Sequence, residues 1–215
     1  MDEAKAPDEE MRALAAAGPA LASRFVEAFE RHRPRLERAV ALRLDPALRA
    51  RVGASDVLQE TWIEARERLP AYLEEPRMPL FLWLRFLALQ RLAKAYRFHA
   101  KAQRRTLRRE TPADAAPTPE TDSGVLAERL AASGVTPSVA AAGVEARAGL
   151  LRILEAMAPS DREILGLRHF EELSNVECAR VLGISIEAAS KRYVRALERL
   201  QTSLSAGTSP SEPRP

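Results

Sequence analysis

The segment SNVECARVLGISIEAASKRYVRALERL, residues 174–200, contains the signals that decide how the C-terminal part of the chain folds. Ser174 and, three residues later, Glu177 form a capping box, which predicts the start of a short helix. Gly183 supplies the positive φ that ends this helix, and Ser185 caps the next one. The segment therefore predicts a short helix, a tight turn and a longer helix.

The longer helix has an apolar face and a cationic side. The residues spaced for the apolar face are Ile186, Ala189, Tyr193, Leu197 and Leu200. The cations that fall largely off that face are Lys191, Arg192, Arg195 and Arg199. One helix fits the major groove of DNA, where its side chains reach base edges while flanking cations reach phosphates. An ordinary αα-hairpin is the alternative, but the caps, the glycine turn and the cationic side together favour a helix-turn-helix that binds DNA.

Charge is distributed unevenly along the chain. The 215 residues carry 33 Lys and Arg against 30 Asp and Glu, a net charge of +3. Between Arg85 and Arg109, nine cations occur without one acid. A helix that is merely soluble usually interleaves both signs, so this basic stretch favours a polyanionic partner. No apolar run approaches the roughly 20 residues of a membrane span and the N-terminus lacks a signal peptide, so we expect a cytoplasmic protein without membrane insertion.

The composition predicts an all-α fold of two small helical domains. Ala, Leu, Arg and Glu dominate, and no stretch alternates apolar and polar residues. A proline-bearing stretch between the helical regions predicts a flexible linker, in which one short helix around Leu126 is allowed. The expected divisions are a flexible N-terminal segment (1–20), a first domain (21–110), the linker (111–143), a helix-turn-helix domain (144–204) and a disordered tail (205–215).

The first domain joins an acidic helix to the basic stretch. Residues 56–62, DVLQETW, belong to a helix with Ser55 or Asp56 as its N-cap, and one side of this helix is acidic. After a loop punctuated by prolines, a second helix starts near LFLWL, residues 80–84, and continues into the basic stretch. Attraction between the two helices explains some of these charges, but not nine cations.

These motifs resemble those of bacterial RNA polymerase sigma factors of the sigma-70 family. DVLQETW, LFLWL and the basic helix resemble region 2, and the capped helix-turn-helix at 160–200 resembles region 4. Two such domains without an intervening region 3 are similar to the extracytoplasmic-function (ECF) group. The resemblance implies a sigma factor that binds core RNA polymerase through its β′ and β subunits and directs initiation at promoter DNA. It also allows an anti-sigma factor as a partner, which no segment of the chain identifies.

The resemblance implies roles for three sets of residues. Docking on core polymerase is implied for Asp56, Gln59 and Glu60. Binding of the melted −10 element is implied for Gln90, Arg91, Lys94, Arg97, Phe98 and Lys101. Binding of the duplex −35 element is implied for Glu187, Ser190, Lys191, Arg192, Arg195 and Arg199. Phe98 is either a surface on which a base stacks or a core residue. Gln90 stands where family members usually have Asn, so the base preference does not transfer.

The sequence offers no constellation for catalysis. It has no glycine-rich phosphate loop and no His-Glu-x-x-His, and His32, His99 and His169 lie far apart. We therefore expect no enzyme, no metal and no cofactor, and we expect Cys178 to be a small buried apolar residue. A helix-turn-helix regulator that acts without polymerase is the alternative function. The acidic Asp56–Glu60 helix argues against it, because such a regulator does not need this helix.

Overall fold

The computed structural model describes residues 9–44, 49, 51–106, 120–132 and 143–207. The side chains of 99–106, 143–144 and 206–207 lie outside this description. The chain divides into two compact units, Met1–Glu120 and Thr121–Pro215. Within the described residues every regular element is a helix, which confirms the predicted all-α fold class.

Among the described residues of the first unit, four α-helices have defined bounds. They are α1 (Glu9–Ala15), α2 (Leu21–Ala41), α3 (Ala54–Glu74) and α4 (Leu80–Thr106), with a short 3₁₀ turn at Gly18–Ala20. Part of the N-terminal segment predicted to be flexible is thus helical, because α1 buries Met11 and Leu14. The start of α3 also differs from the prediction. The backbone N–H of Gly53 donates to Asp56 Oδ2 at 2.9 Å, so Asp56 reaches back to the residue before the helix and is not itself the N-cap.

Aromatic contacts join the three long helices of the first unit. Trp62 of α3 stacks on Phe25 of α2 with 5.2 Å between ring centroids and meets Phe29 edge-on at 5.0 Å. Trp83 of α4 stacks on Tyr72 of α3 at 4.2 Å. Each such pair contributes about 0.5–1.5 kcal/mol beyond the burial of its area. These contacts fix the position of α4, and with it the basic stretch, relative to the acidic α3.

The second unit contains five α-helices and one π-helical turn among its described residues. They are α5 (Ser123–Ala132), α6 (Gly143–Ala156), α7 (Pro159–Leu165), the π-turn (Gly166–Phe170), α8 (Asn175–Leu182) and α9 (Ile186–Gly207). Helix α9 packs against α6, α7 and α8. This arrangement leaves one long side of α9 open to solvent.

Helix α5 lies inside the segment that the sequence predicts to be a linker. Leu126 and Leu130 of α5 are fully buried, and the helix packs on α6 and the π-turn. Thr121 just before it donates a hydrogen bond from Oγ1 to Glu163 Oε2 at 2.6 Å. Burying a leucine contributes about 1.5–3 kcal/mol, so the two buried leucines stabilise this helix although the residues around it have a loop-like composition. The second unit therefore begins at Thr121, ahead of the predicted boundary at residue 144. The other predicted linker and terminal residues, 1–8, 111–119, 133–142 and 208–215, lie outside the described residues. The predicted disordered tail starts at residue 205, but α9 continues to Gly207.

Substitution of a buried leucine of α5 tests whether this helix is part of the second unit. Leu130→Ala should lower the free energy of unfolding of that unit by about 2–5 kcal/mol, because it leaves a cavity. Hydrogen exchange of peptides from α6 to α9 measures this loss in the full chain. Both tryptophans, Trp62 and Trp83, lie in the first unit, so the denaturant midpoint of tryptophan fluorescence should not move. Glu128→Ala, at an exposed position of α5, is the matched control. Unchanged exchange in Leu130→Ala would contradict the assignment.

Candidate nucleic-acid interfaces

The turn between α8 and α9 has the geometry that the sequence predicts. Ser174 Oγ accepts from the backbone N–H of Glu177 at 3.2 Å, and Glu177 Oε2 accepts from the N–H of Ser174 at 2.7 Å. Gly183 ends α8 with φ at 64°, and Ser185 Oγ accepts from the N–H of Ala188 at 3.1 Å. The predicted capping box, glycine turn and second cap are all confirmed. Together they fix the angle at which α9 leaves the turn.

One further contact across the turn was not apparent from the sequence. Asn175 Nδ2 donates to the carbonyl oxygen of Ile186 at 2.9 Å, which ties the start of α8 to the start of α9. Cys178 is fully buried, as expected for a small apolar residue. An asparagine at the first position of a helix gives no sequence signal for a bond to a residue 11 positions away.

The outer side of α9 carries the residues expected to bind duplex DNA. Ala189, Ala196 and Leu200 are buried and define the inner face. The residues exposed on the outer side are Glu187, Ser190, Lys191, Arg195 and Arg199, and Arg192 is half-buried. Ile186, expected on the apolar face, is 47% exposed, since it stands at the first position of the helix. Nζ of Lys191 lies 2.5 Å from Oε1 of Glu187. An exposed ion pair at this i,i+4 spacing contributes only a few tenths of a kcal/mol.

Arg199 has a structural partner that the sequence did not indicate. Its Nη1 bonds to Oδ2 of Asp161 in α7, and the Asp161 carboxylate is almost fully buried. A buried carboxylate must be paired, so this contact holds α9 on α7. The role of Arg199 in DNA binding stays a prediction, and its observed contact is internal. Arg195 lies exposed one turn earlier and is the better placed of the two to reach a phosphate.

A second internal contact steadies the middle of α9. The hydroxyl of Tyr193 lies 3.0 Å from Nε2 of His169 in the π-turn, and the guanidinium of Arg168 lies 5.2 Å from the centre of the Tyr193 ring. Burial, and next the positive charge of Arg168, lower the pKa of His169 below its ordinary value. The lowered pKa favours the neutral imidazole, whose Nε2 accepts a hydrogen bond from the Tyr193 hydroxyl in the tautomer protonated at Nδ1.

The first unit has an open cleft between α3 and α4 with a volume of about 420 Å³. It is lined by four residues predicted to bind the −10 element, Gln90, Arg91, Lys94 and Arg97. The remaining wall comes from Glu64 and Arg68 of α3, which were not among the predicted residues, and from one alanine of α4. The structure thus brings most of the predicted set to one place. The side chain of Lys101 lies outside the described residues. Phe98 is 72% exposed, which excludes it from the core.

Glu64 organises this cleft. Its side chain is 8% exposed, and Oε1 lies 2.7 Å from Nη2 of Arg68 while Oε2 bonds to Nε of Arg91. The carboxylate therefore bridges a cation of α3 and a cation of α4. The i,i+4 spacing of Glu64 and Arg68 is visible in the sequence, whereas the bond to Arg91 joins residues 27 positions apart. Attraction between the acidic and the basic helix, weighed as the alternative explanation of the charges, accounts for Arg91.

The residues predicted to contact polymerase lie on the acidic side of α3. Asp56, Gln59 and Glu60 are all exposed. Asp56 also accepts the hydrogen bond at the helix start, so its carboxylate has a structural role. Glu60 lies 3.6 Å from Nη1 of Arg91, which places the acidic surface next to the mouth of the cleft.

Within the described residues, no group of three or more His, Cys, Asp or Glu side chains could hold a metal ion. Likewise, no described helix is long and apolar enough to cross a membrane.

The described residues present two cationic surfaces and one acidic surface. A capped helix-turn-helix whose long second helix exposes cations defines the second unit as a DNA-binding domain.

Comparison with known proteins specifies this class further. The family model "Sigma-70, region 4" matches residues 147–200. An RNA polymerase sigma-E factor of Streptomyces coelicolor is 40% identical over 60 residues, which are 28% of this chain and 34% of that protein. An RNA polymerase sigma-E factor of Streptomyces avermitilis is 41% identical over 58 residues, which are 27% of this chain and 32% of that protein. The chain thus spans about a third of the length of these curated relatives. No solved structure matches it significantly.

These matches confirm the predicted resemblance to sigma-70 region 4 over residues 147–200, and the resemblance of residues 21–110 to region 2 stays a prediction. The matched residues 147–200 include α7, the π-turn and α8 in full, and most of α6 and α9. Helix α5 lies outside the matched residues, although it packs in the same unit.

A pair of arginine variants separates structure from binding on α9. Arg199→Ala should lower the free energy of unfolding of the second unit by about 1–3 kcal/mol, because it leaves the buried Asp161 carboxylate unpaired. Arg195→Ala should leave stability unchanged within about 0.5 kcal/mol. It should reduce the salt slope of duplex DNA binding, which is the steepness with which log K falls with log salt concentration, by about one unit. Hydrogen exchange and fluorescence anisotropy of the full chain measure the two effects. The reverse pattern would contradict the assigned roles.

Proposed function

We propose that this protein is a sigma factor that binds core RNA polymerase and directs promoter-specific initiation of transcription. The observation that carries the proposal is the capped helix-turn-helix, whose residues match sigma-70 region 4 and whose exposed helix face is cationic. As a subunit that selects DNA, it needs no catalytic group of its own. It acts in the cytoplasm, where core polymerase and the chromosome meet.

The proposed mechanism divides the work between the two units. The outer side of α9 enters the major groove of the −35 element, with Ser190 and Lys191 near base edges and Arg195 at the backbone. The cleft of the first unit holds the melted −10 strand, with Arg91, Lys94 and Arg97 at its phosphates. The exposed Phe98 offers a ring on which a base stacks.

The acidic side of α3 docks on the β′ subunit of core polymerase, and the second unit meets the β subunit. Exposed Gln59 and Glu60 present one amide and one charge to a basic partner surface. Exposed carboxylates of this kind give specificity and fast association more than raw affinity.

Transcription from a randomised promoter pool tests the proposal. Core polymerase with this protein should yield run-off transcripts whose templates share two short elements at fixed spacing, and core polymerase alone should not. If no transcripts appear while the protein still shifts duplex DNA by itself, it is an independent helix-turn-helix regulator and the proposal is wrong.

A charge reversal on α3 tests the docking surface separately. Glu60→Lys should weaken copurification with core polymerase at least about tenfold, because like charges then face each other across the interface. Glu60 is chosen rather than Asp56, since reversal of Asp56 would also remove the hydrogen bond at the start of α3. Glu27→Lys, at an exposed acid of α2 and therefore off the acidic side of α3, is the matched control. Equal copurification of the Glu60 variant and the wild type would show that the acidic side of α3 is not the docking surface.

A further inference from the structure

Both walls of the cleft between α3 and α4 carry cations. The α4 wall presents Arg91, Lys94 and Arg97, as expected for a site that binds a nucleic-acid strand. The α3 wall presents Arg68, which is not among the residues predicted to bind DNA and lies outside the residues matched to the family. The lining residues thus include four cations and one carboxylate, that of Glu64, with Glu60 beside Arg91 at the mouth, so the cleft keeps a net positive charge.

The position of Arg68 is set by its ion pair, which leaves most of its donors for another acceptor. Its Nη2 lies 2.7 Å from Glu64 Oε1, and the side chain remains 55% exposed at the cleft. A guanidinium carries five N–H donors in a fixed planar fork, more than one carboxylate oxygen accepts. The same fork matches the oxygens of a phosphate.

Glu64 also sets Arg68 and Arg91 on opposite sides of one carboxylate. Each of its oxygens meets a different guanidinium, one from each helix. The two arginines are therefore held a short distance apart, facing the same open volume of about 420 Å³. Cations on two walls of a groove can grip one backbone from both sides, as single-strand binding requires.

We propose that Arg68 is a further nucleic-acid-binding residue, which contacts a backbone phosphate of single-stranded DNA from the α3 wall of the cleft. The inference rests on the proposed function, since it takes the cleft to be the site of the melted strand. It extends that site from one helix to two. It also gives Glu64 a positioning role, which is to hold Arg68 in the direction of the strand.

Binding of a fluorescein-labelled 12-nucleotide single strand of mixed sequence to the full chain tests this role. Each phosphate contact contributes about 0.7 to the salt slope for a single strand. Arg68→Ala should therefore lower the slope by about 0.7 and raise Kd about 5- to 10-fold at 50 mM salt. Arg66→Ala removes an exposed arginine of the same helix that does not line the cleft, and should change Kd less than twofold. Arg68→Lys keeps the charge and should retain most of the slope.

Three results would overturn the proposal. One is an unchanged slope in Arg68→Ala while its thermal unfolding matches the wild type. Another is an equal loss in Arg66→Ala, which would mean that only overall charge matters. The third is normal strand binding by Arg68→Ala together with weaker copurification with core polymerase, which would make the α3 wall a protein contact. Failure of the proposed function itself would appear in the transcription experiment, as an absence of run-off transcripts with the wild-type protein.

Discussion

A buried carboxylate paired with an arginine of the neighbouring helix is the constraint on which both units depend. In the first unit Glu64 of α3 binds Arg91 of α4, and in the second Asp161 of α7 binds Arg199 of α9. Leaving either carboxylate unpaired would cost about 1–3 kcal/mol, so each pair favours one register of its two helices. That register decides which cations face inward and which remain for a ligand.

The pairing explains how basic helices become specific surfaces. On α4, Arg91 binds Glu64 and lines the open cleft together with Lys94 and Arg97, which follow about one and two turns onward. On α9, Arg199 is held at Asp161, while Arg195 remains exposed. In each helix one cation is used to fix the geometry and its neighbours are presented in that geometry. Each surface thus depends on one arginine, Arg91 or Arg199, that the sequence alone does not distinguish from the cations around it.

The sequence predicted what depends on neighbouring residues and missed what depends on distant ones. The caps at Ser174 and Ser185 and the turn at Gly183 are local, and they were found where expected. The structural contacts of Glu64 with Arg91 and of Arg199 with Asp161 were not predicted, because these partners lie 27 and 38 positions apart. Helix α5 was allowed but placed in a linker, since its few leucines are surrounded by a loop-like composition and only tertiary packing shows that they are buried. The site residues on α4 were implied by the family resemblance. The structure places Gln90, Arg91, Lys94 and Arg97 in one cleft and leaves Phe98 exposed.

In the proposed mechanism each unit offers nucleic acid a different kind of surface, a groove-reading helix in one and a cleft with cations on both walls in the other. Photo-crosslinking from single positions in a promoter complex with core polymerase tests this division most directly. A photoreactive residue at Lys94 should crosslink to the single-stranded, melted DNA, and one at Ser190 should crosslink to the upstream duplex. Both positions crosslinking to the duplex, or Lys94 crosslinking to no DNA while Ser190 does, would contradict the account.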